Sequence, residues 1–113
     1  MHEYSVTKSL INLVIEEANK VGAKKITEIR LVIGDLSTIL DESVQMYFDI
    51  ISEGTIAEGS KLVFKRIPAE FQCKSCGNKY NKPKKGFDCP YCGGLGTLTN
   101  VGKEFYVDSI EVE

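Results

Sequence analysis

Histidine is almost absent from this chain: of 113 residues, only His2 carries an imidazole. Catalytic arrangements of the Ser/His/Asp or Cys/His kind need an imidazole held inside a site, and the one available stands at the very start of the sequence. No GxxxxGK[ST] run offers a phosphate-binding loop, so any nucleotide hydrolysis belongs to a partner. No apolar run is long enough to span a membrane, and the first residues lack a basic stretch followed by a hydrophobic one. Neither a membrane partner nor a secretory leader is therefore expected. With Met1 retained ahead of a bulky residue, the expected compartment is the cytoplasm, where four cysteines read as metal ligands rather than disulfides. Repeats and low-complexity segments are also missing. An enzyme is the weakest reading of this chain.

What is present is an ordinary globular composition, 42% hydrophobic and 27% charged, at a length that suits one domain with a small appendage. The net charge of −2 is unevenly spread. Residues 69–98 hold Lys74, Lys79, Lys82, Lys84 and Lys85 against only Glu70 and Asp88. Four thiolates around one divalent metal would bring about −2 to the same stretch, which leaves too weak a field for a phosphate footprint. No nucleic acid partner is expected.

His2 has a different use. A free α-amine followed by His offers a metal the Met1 amine, the His2 backbone nitrogen and the His2 imidazole, closing one five-membered and one six-membered chelate ring. Such a site needs a metal that displaces an amide proton and accepts a planar set of nitrogens, which favours Cu(II) or Ni(II) over Zn(II). Glu3 adds a carboxylate within reach.

Along the chain, Val6, Leu10, Leu13, Val14, Ala18 and Val21 recur at helical spacing. They predict a helix from Ser5 to Val21, capped at its start by Ser5 or Thr7 and closed by Gly22. Ile26 to Ile33 alternates as a half-buried strand that Gly34 ends. Asp41 is the expected N-cap of a second helix through Val44, Tyr47, Phe48 and Ile51, with Glu42 in its first turn. Lys61 to Ile67 reads as a strand bounded by Pro68, and Lys103 to Val112 as another, with a shift of apolar parity near Asp108-Ser109 that suggests a bulge or strand end. His2–Tyr4 could add a short edge. The expected fold is α+β: a small mixed sheet with two helices on one face, made from residues 1–68 and 99–113, with an inserted zinc ribbon at 69–98.

That insert is rich in glycine and poor in apolar side chains; a piece so small needs a metal or disulfide to hold it. Cys73-Lys-Ser-Cys76-Gly77 and Cys89-Pro-Tyr-Cys92-Gly93 are two CxxCG knuckles. The two-residue spacer turns both thiolates of a knuckle toward one point, and the following Gly permits the tight turn. Together they make a closed four-thiolate site that suits structural Zn(II); iron is chemically possible there. The aromatics Phe71, Tyr80, Phe87 and Tyr91 would supply the insert's own small core.

Met1-His2-Glu3-Tyr4-Ser5 opening a helix, Val32-Ile33-Gly34-Asp35-Leu36 ending a strand, Glu53-Gly54-Thr55 closing the second helix, and the two cysteine pairs follow one another in this order. In that combination the whole chain resembles the HypA/HybF family, the hydrogenase nickel-incorporation metallochaperones. The resemblance implies Ni(II) as cargo at Met1, His2 and Glu3, and structural zinc on Cys73, Cys76, Cys89 and Cys92. It also implies delivery to the large subunit of [NiFe]-hydrogenase, in some bacteria also to urease, alongside a HypB-type nickel-binding GTPase; it leaves a homodimer open. Some family members carry histidines beside the cysteine pairs, and this chain has none there. A fourth nickel ligand would then come from the Glu3 amide or carboxylate, Asp41, water or a partner, and Asp41 has a competing duty as helix cap.

Overall fold

The protein is described by a computed structural model covering residues 3–83 and 86–113. Helix α1 spans Glu3–Lys20. Glu3, Thr7, Leu10, Ile11, Val14 and Ala18 are buried, a run of three- and four-residue steps that forms a single face. The helix begins two residues before Ser5, so Glu3 and Tyr4 are helical and add no edge to a sheet. Thr7 lies inside the helix, fully buried, and caps nothing. A three-residue edge strand would need a paired neighbour, whereas a helix satisfies its own backbone and places Glu3 where the macrodipole favours an anion. Ile11 takes the inward position, while Leu13 and Val21 face solvent. The C-terminus closes as anticipated. Gly22 adopts φ 70, its N–H bonds Asn19 O, and Ala23 N–H bonds Ala18 O, the paired pattern of a Schellman cap.

Strand β1 (Ile26–Gly34), helix α2 (Asp41–Ile51), strand β2 (Lys61–Ile67) and a final strand from Phe105 to Val112 follow, the three strands forming a sheet with β1 in the middle. The Ser60 hydroxyl donates to Ile26 O at the start of β1, and Asp35 N–H donates to Ile67 O at its end. β1 and β2 are therefore parallel, with α2 as the crossover that parallel strands require. The final strand runs the other way, since Lys24 N–H bonds Glu113 O and Gly34 N–H bonds Glu104 O. This is the small mixed sheet and α+β class expected. The last four residues of β1 are all buried, as a central strand demands. The final strand does not end at Asp108-Ser109. It runs unbroken, with Ser109 and Ile110 both half-buried, and Arg30 of β1 reaches Ser109 Oγ at 3.2 Å and Glu111 Oε1 at 2.8 Å.

α2 differs at its start. The N-cap is Leu40, in extended backbone with no side-chain cap bond, and Asp41 is the first helical residue. Asp41 and Glu42 both sit in the first turn, where a carboxylate is favoured by the dipole without capping. Val44 and Phe48 turn inward, and Tyr4 meets Tyr47 edge-on at 5.5 Å, joining the two helices. Among the described residues no helix is long and apolar enough to cross a membrane.

The chain divides into two compact units: residues up to Val32 with Thr38–Lys65 and Tyr106–Glu113, and Ile33–Ser37 with Arg66–Phe105. The second contains β3 (Glu70–Cys73), β4 (Lys79–Asn81) and β5 (Gly96–Leu98), an antiparallel sheet in the order β4-β3-β5; the final strand of the chain is thus β6. This unit is wider than the 69–98 stretch because the loop after β1 bonds into it: Asp35 N–H to Ile67 O, Leu36 N–H to Gly102 O. Gly34 makes that approach feasible. A Cβ at Gly34 would fall inside the contact shell of the Gly102 carbonyl, and Gly102 itself adopts φ 109. Gly34→Ala is therefore expected to lower stability by about 2 kcal/mol, as overpacking against rigid backbone does, measured by urea denaturation at fixed metal content.

Candidate metal centre

The four cysteine side chains converge. Cys73 and Cys76 flank the first knuckle, in which Cys73 N–H bonds Asn78 O and Gly77 N–H returns to Cys73 O. Cys89 and Cys92 repeat it: Cys89 N–H bonds Gly94 O and Gly93 N–H bonds Cys89 O. Gly77 and Gly93 take φ 76 and 77, the left-handed conformation that the turn after each second cysteine requires. The two turns are structural copies, as the repeated CxxCG spacing suggests.

The resulting sulfurs all lie within 4.8 Å of one another. Cys73 Sγ is 3.4 Å from Cys92 Sγ, and Cys76 Sγ is 3.7 Å from Cys89 Sγ. A tetrahedron with zinc–sulfur bonds of ~2.3 Å has sulfur–sulfur edges of ~3.8 Å, so this cage matches a four-thiolate zinc site. Cys73 and Cys89 are buried, while Cys76 and Cys92 remain exposed.

Donors already surround the sulfurs. The backbone N–H groups of Ser75 and Cys76 point at Cys73 Sγ, each at 3.4 Å, and that of Tyr91 at Cys89 Sγ, also at 3.4 Å. Hydrogen bonds from the Cys76 and Ser75 backbones draw the Cys73 thiol down to about 6 against the opposing effect of burial. Cys92 is pushed up to about 12: the Gly94 backbone N–H draws it down, but the neighbouring sulfurs and burial together outweigh that bond. One thiol ionises easily while another keeps its proton, held by hydrogen bonds to the neighbouring sulfurs and by burial. A divalent cation at their centre would take the place of that proton and let all four sulfurs bind as thiolates.

The cysteine motif alone does not single out Asn78, Gly94 and Gly96, which also support the cage. Asn78 Nδ2 donates to Cys76 Sγ at 3.3 Å, a role its position two residues after Cys76 could have signalled. A Cβ at Gly94 would lie 3.1 Å from Cys73 Sγ, so this glycine lets the second knuckle close on the first. A Cβ at Gly96 would collide with the Tyr80 hydroxyl, which donates to Phe87 O at 2.7 Å. Phe71 and Tyr80 stack at 5.5 Å and are buried with Cys73 and Cys89. Phe87 and Tyr91, expected in this core, are exposed; the ring of Phe87 lies tilted against Phe71 and carries the Lys82 ammonium 4.9 Å from its centre.

Met1 and His2 lie outside the described residues. Glu3 is buried in the first turn of α1, and Asp41 opens α2. Among the described residues the four cysteines are the one cluster of metal-ligating groups.

The family described as HypA, hydrogenase/urease nickel incorporation, metallochaperone, matches residues 1–112. The chain is 52% identical over 114 residues to the hydrogenase maturation factor HypA of Caldanaerobacter subterraneus subsp. tengcongensis, covering all of both chains. It is 42% identical to a protein of the same name from Dehalococcoides mccartyi, covering all of this chain and 95% of that one. Its fold is similar to the solution structure of the Ni metallochaperone HypA from Helicobacter pylori, with TM-score 0.66, 29% identity, and 99% and 97% of the two chains covered. A solution structure of a HypA protein gives TM-score 0.72 at 28% identity, covering 100% and 97%.

Removing the hydrogen bond of a ligand's outer partner commonly costs ten- to a hundredfold in metal affinity. Asn78→Ala should accordingly weaken binding of a tetrahedral divalent metal by about tenfold, and Asn78→Asp by more, because it sets a carboxylate beside a thiolate. Competition with a chromogenic chelator measures both.

Proposed function

The chain belongs to the HypA family of hydrogenase/urease nickel-incorporation metallochaperones, maturation proteins rather than enzymes. From that premise we propose that it carries Ni(II) at its first residues and passes it to the large subunit of [NiFe]-hydrogenase, and to urease where the host makes one. The observation that carries this reading is the family match running through Met1-His2-Glu3. Delivery would proceed in the cytoplasm beside a HypB-type GTPase, which supplies the nucleotide chemistry this chain has no loop to perform.

The Met1 amine, the His2 amide and the His2 imidazole form the two chelate rings, and Glu3 completes the set. Chelation through amine and amide releases protons, so nickel affinity rises with pH. A site with few ligands at a chain end is also open to attack by an incoming donor, which suits transfer by ligand exchange.

Zn(II) would sit on Cys73, Cys76, Cys89 and Cys92 in a role separate from the cargo. Four protein thiolates fill the tetrahedron and leave no open position for catalysis. Binding energies of about 10–16 kcal/mol for zinc in finger peptides are ample to order a segment of this size. Protein purified in weak chelator should carry about one zinc per chain, and Cys92→Ser should lower that figure and loosen residues 69–98; full zinc in the variant would refute the ligand set.

The terminus has its own test. Extending the chain before Met1, or acetylating it, should weaken nickel binding as much as His2→Ala does, with zinc content and thermal stability unchanged. Calorimetry at one pH on the three proteins decides. Undiminished affinity in the extended protein removes the amine from the site, and undiminished affinity in His2→Ala removes the site as drawn.

A further inference from the structure

The first compact unit carries an open groove of about 530 Å³ lined by Asp41, Glu42, Gln45, Met46 and Asp49 of α2 and by Phe64 of β2. Its floor is apolar. Met46 is half exposed, Phe64 is half-buried, and Ile50 extends the apolar surface one residue further at 60% exposure. Its rim is anionic. Glu42, Met46 and Asp49 stand at i, i+4 and i+7, so a methionine is flanked by a carboxylate on either side along one helix face. Gln45 Nε2 donates to Asp49 Oδ1 at 2.9 Å and fixes that carboxylate at the edge. None of the lining residues is a lysine or arginine.

We propose that this groove docks a segment of a partner protein in which lysine or arginine side chains flank a large apolar one. Two exposed carboxylates, Glu42 and Asp49, on either side of a flexible thioether repel an acidic ligand and leave a purely apolar one with charges to desolvate, whereas a basic amphipathic segment meets both needs. A second apolar depression, in the other unit, offers no such selection. Leu36, Phe71, Phe87 and Leu98 line it with Asp35 and Lys82 as its charged neighbours, and those two charges cancel. The inference rests on the reading of this chain as a protein that acts through a partner; its test needs no nickel, so the two can fail separately.

The test uses the full-length, zinc-loaded, nickel-free protein, 15N-labelled, titrated with a synthetic amphipathic peptide bearing lysines beside leucines. The controls are the same peptide with glutamate for lysine and with alanine for leucine. The lysine–leucine peptide should shift the amides of residues 41–50 and 61–65, and neither control should. Affinity should fall about tenfold in Glu42→Lys/Asp49→Lys and about fivefold in Met46→Ala, the scale of a central contact in a small interface. These three side chains face solvent, and the peptide controls read the same two requirements without altering the protein. Shifts scattered over other acidic surfaces, equal binding by the glutamate or alanine peptide, or an unchanged affinity in Met46→Ala would each overturn the proposal. So would groove amides that move with protein concentration alone, which would assign the surface to a second copy of this chain.

Discussion

The second unit depends on its four sulfurs. Among the described residues its buried cluster is Phe71, Cys73, Tyr80 and Cys89, so two of its four side chains also belong to the cysteine group able to hold a metal. One stacked aromatic pair, even with its hydroxyl bonded to Phe87 O, cannot offset the conformational entropy of some forty residues, a cost of about 1–2 kcal/mol for each backbone residue ordered. A metal held there would contribute its binding free energy to folding. The small strands, the left-handed glycines after each second cysteine and the N–H groups aimed at sulfur all serve to bring four thiolates to one point. Without a cation the thiols ionise unequally: the Cys76 and Ser75 backbone N–H groups draw Cys73 down to about 6, while hydrogen bonds among the sulfurs and burial push Cys92 up to about 12.

The first unit is held by ordinary means. Leu10, Ile11, Val14 and Ala18 of α1, Ile26, Ile29 and Leu31 of β1, and Val44 and Phe48 of α2 are almost wholly shielded from water. Burying each large aliphatic or aromatic side chain among them contributes about 1.5–3 kcal/mol. The Arg30 ion pairs with Glu28 and Glu111 are partly exposed and contribute little to stability; the Glu111 pair, crossing from β1 to β6, helps register the two strands.

What the sequence disclosed follows the length scale of each signal. The cysteine spacing, the helical periodicities and the Gly22 cap depend on residues a few positions apart, and all were legible. Gly34 was read as a strand terminator because its true constraint, the carbonyl of Gly102, lies far along the chain. Asp41 was assigned to the cap because aspartate favours that position, yet the extended backbone of Leu40 takes it and moves Asp41 one residue inward. Glu3 and Tyr4 are helical rather than part of a short edge strand for a related reason: a periodic helix satisfies its own backbone upstream of its apolar face. Asn78 has no periodic signature, and its position two residues after Cys76 is the single local sign of its bond to sulfur. Phe87 and Tyr91 were placed in a core by hydrophobicity alone, which says nothing about whether a core of that size has room.

The scarcity of histidine separates two kinds of metal chemistry within one short chain. With no imidazole near the knuckles, the cysteine site offers only soft thiolates in a tetrahedron, a set that suits zinc and disfavours a metal that prefers planar nitrogen. With no sulfur in Met1-His2-Glu3 beyond the Met1 thioether, the proposed cargo site offers amine, amide and imidazole, the reverse preference. Neither site needs high absolute affinity to avoid the other's metal, because geometry and ligand type discriminate before affinity does. A closed cage resists exchange because all four positions are filled by the protein. A chelate at a chain end permits exchange because it is not enclosed, and a carrier must release what it binds.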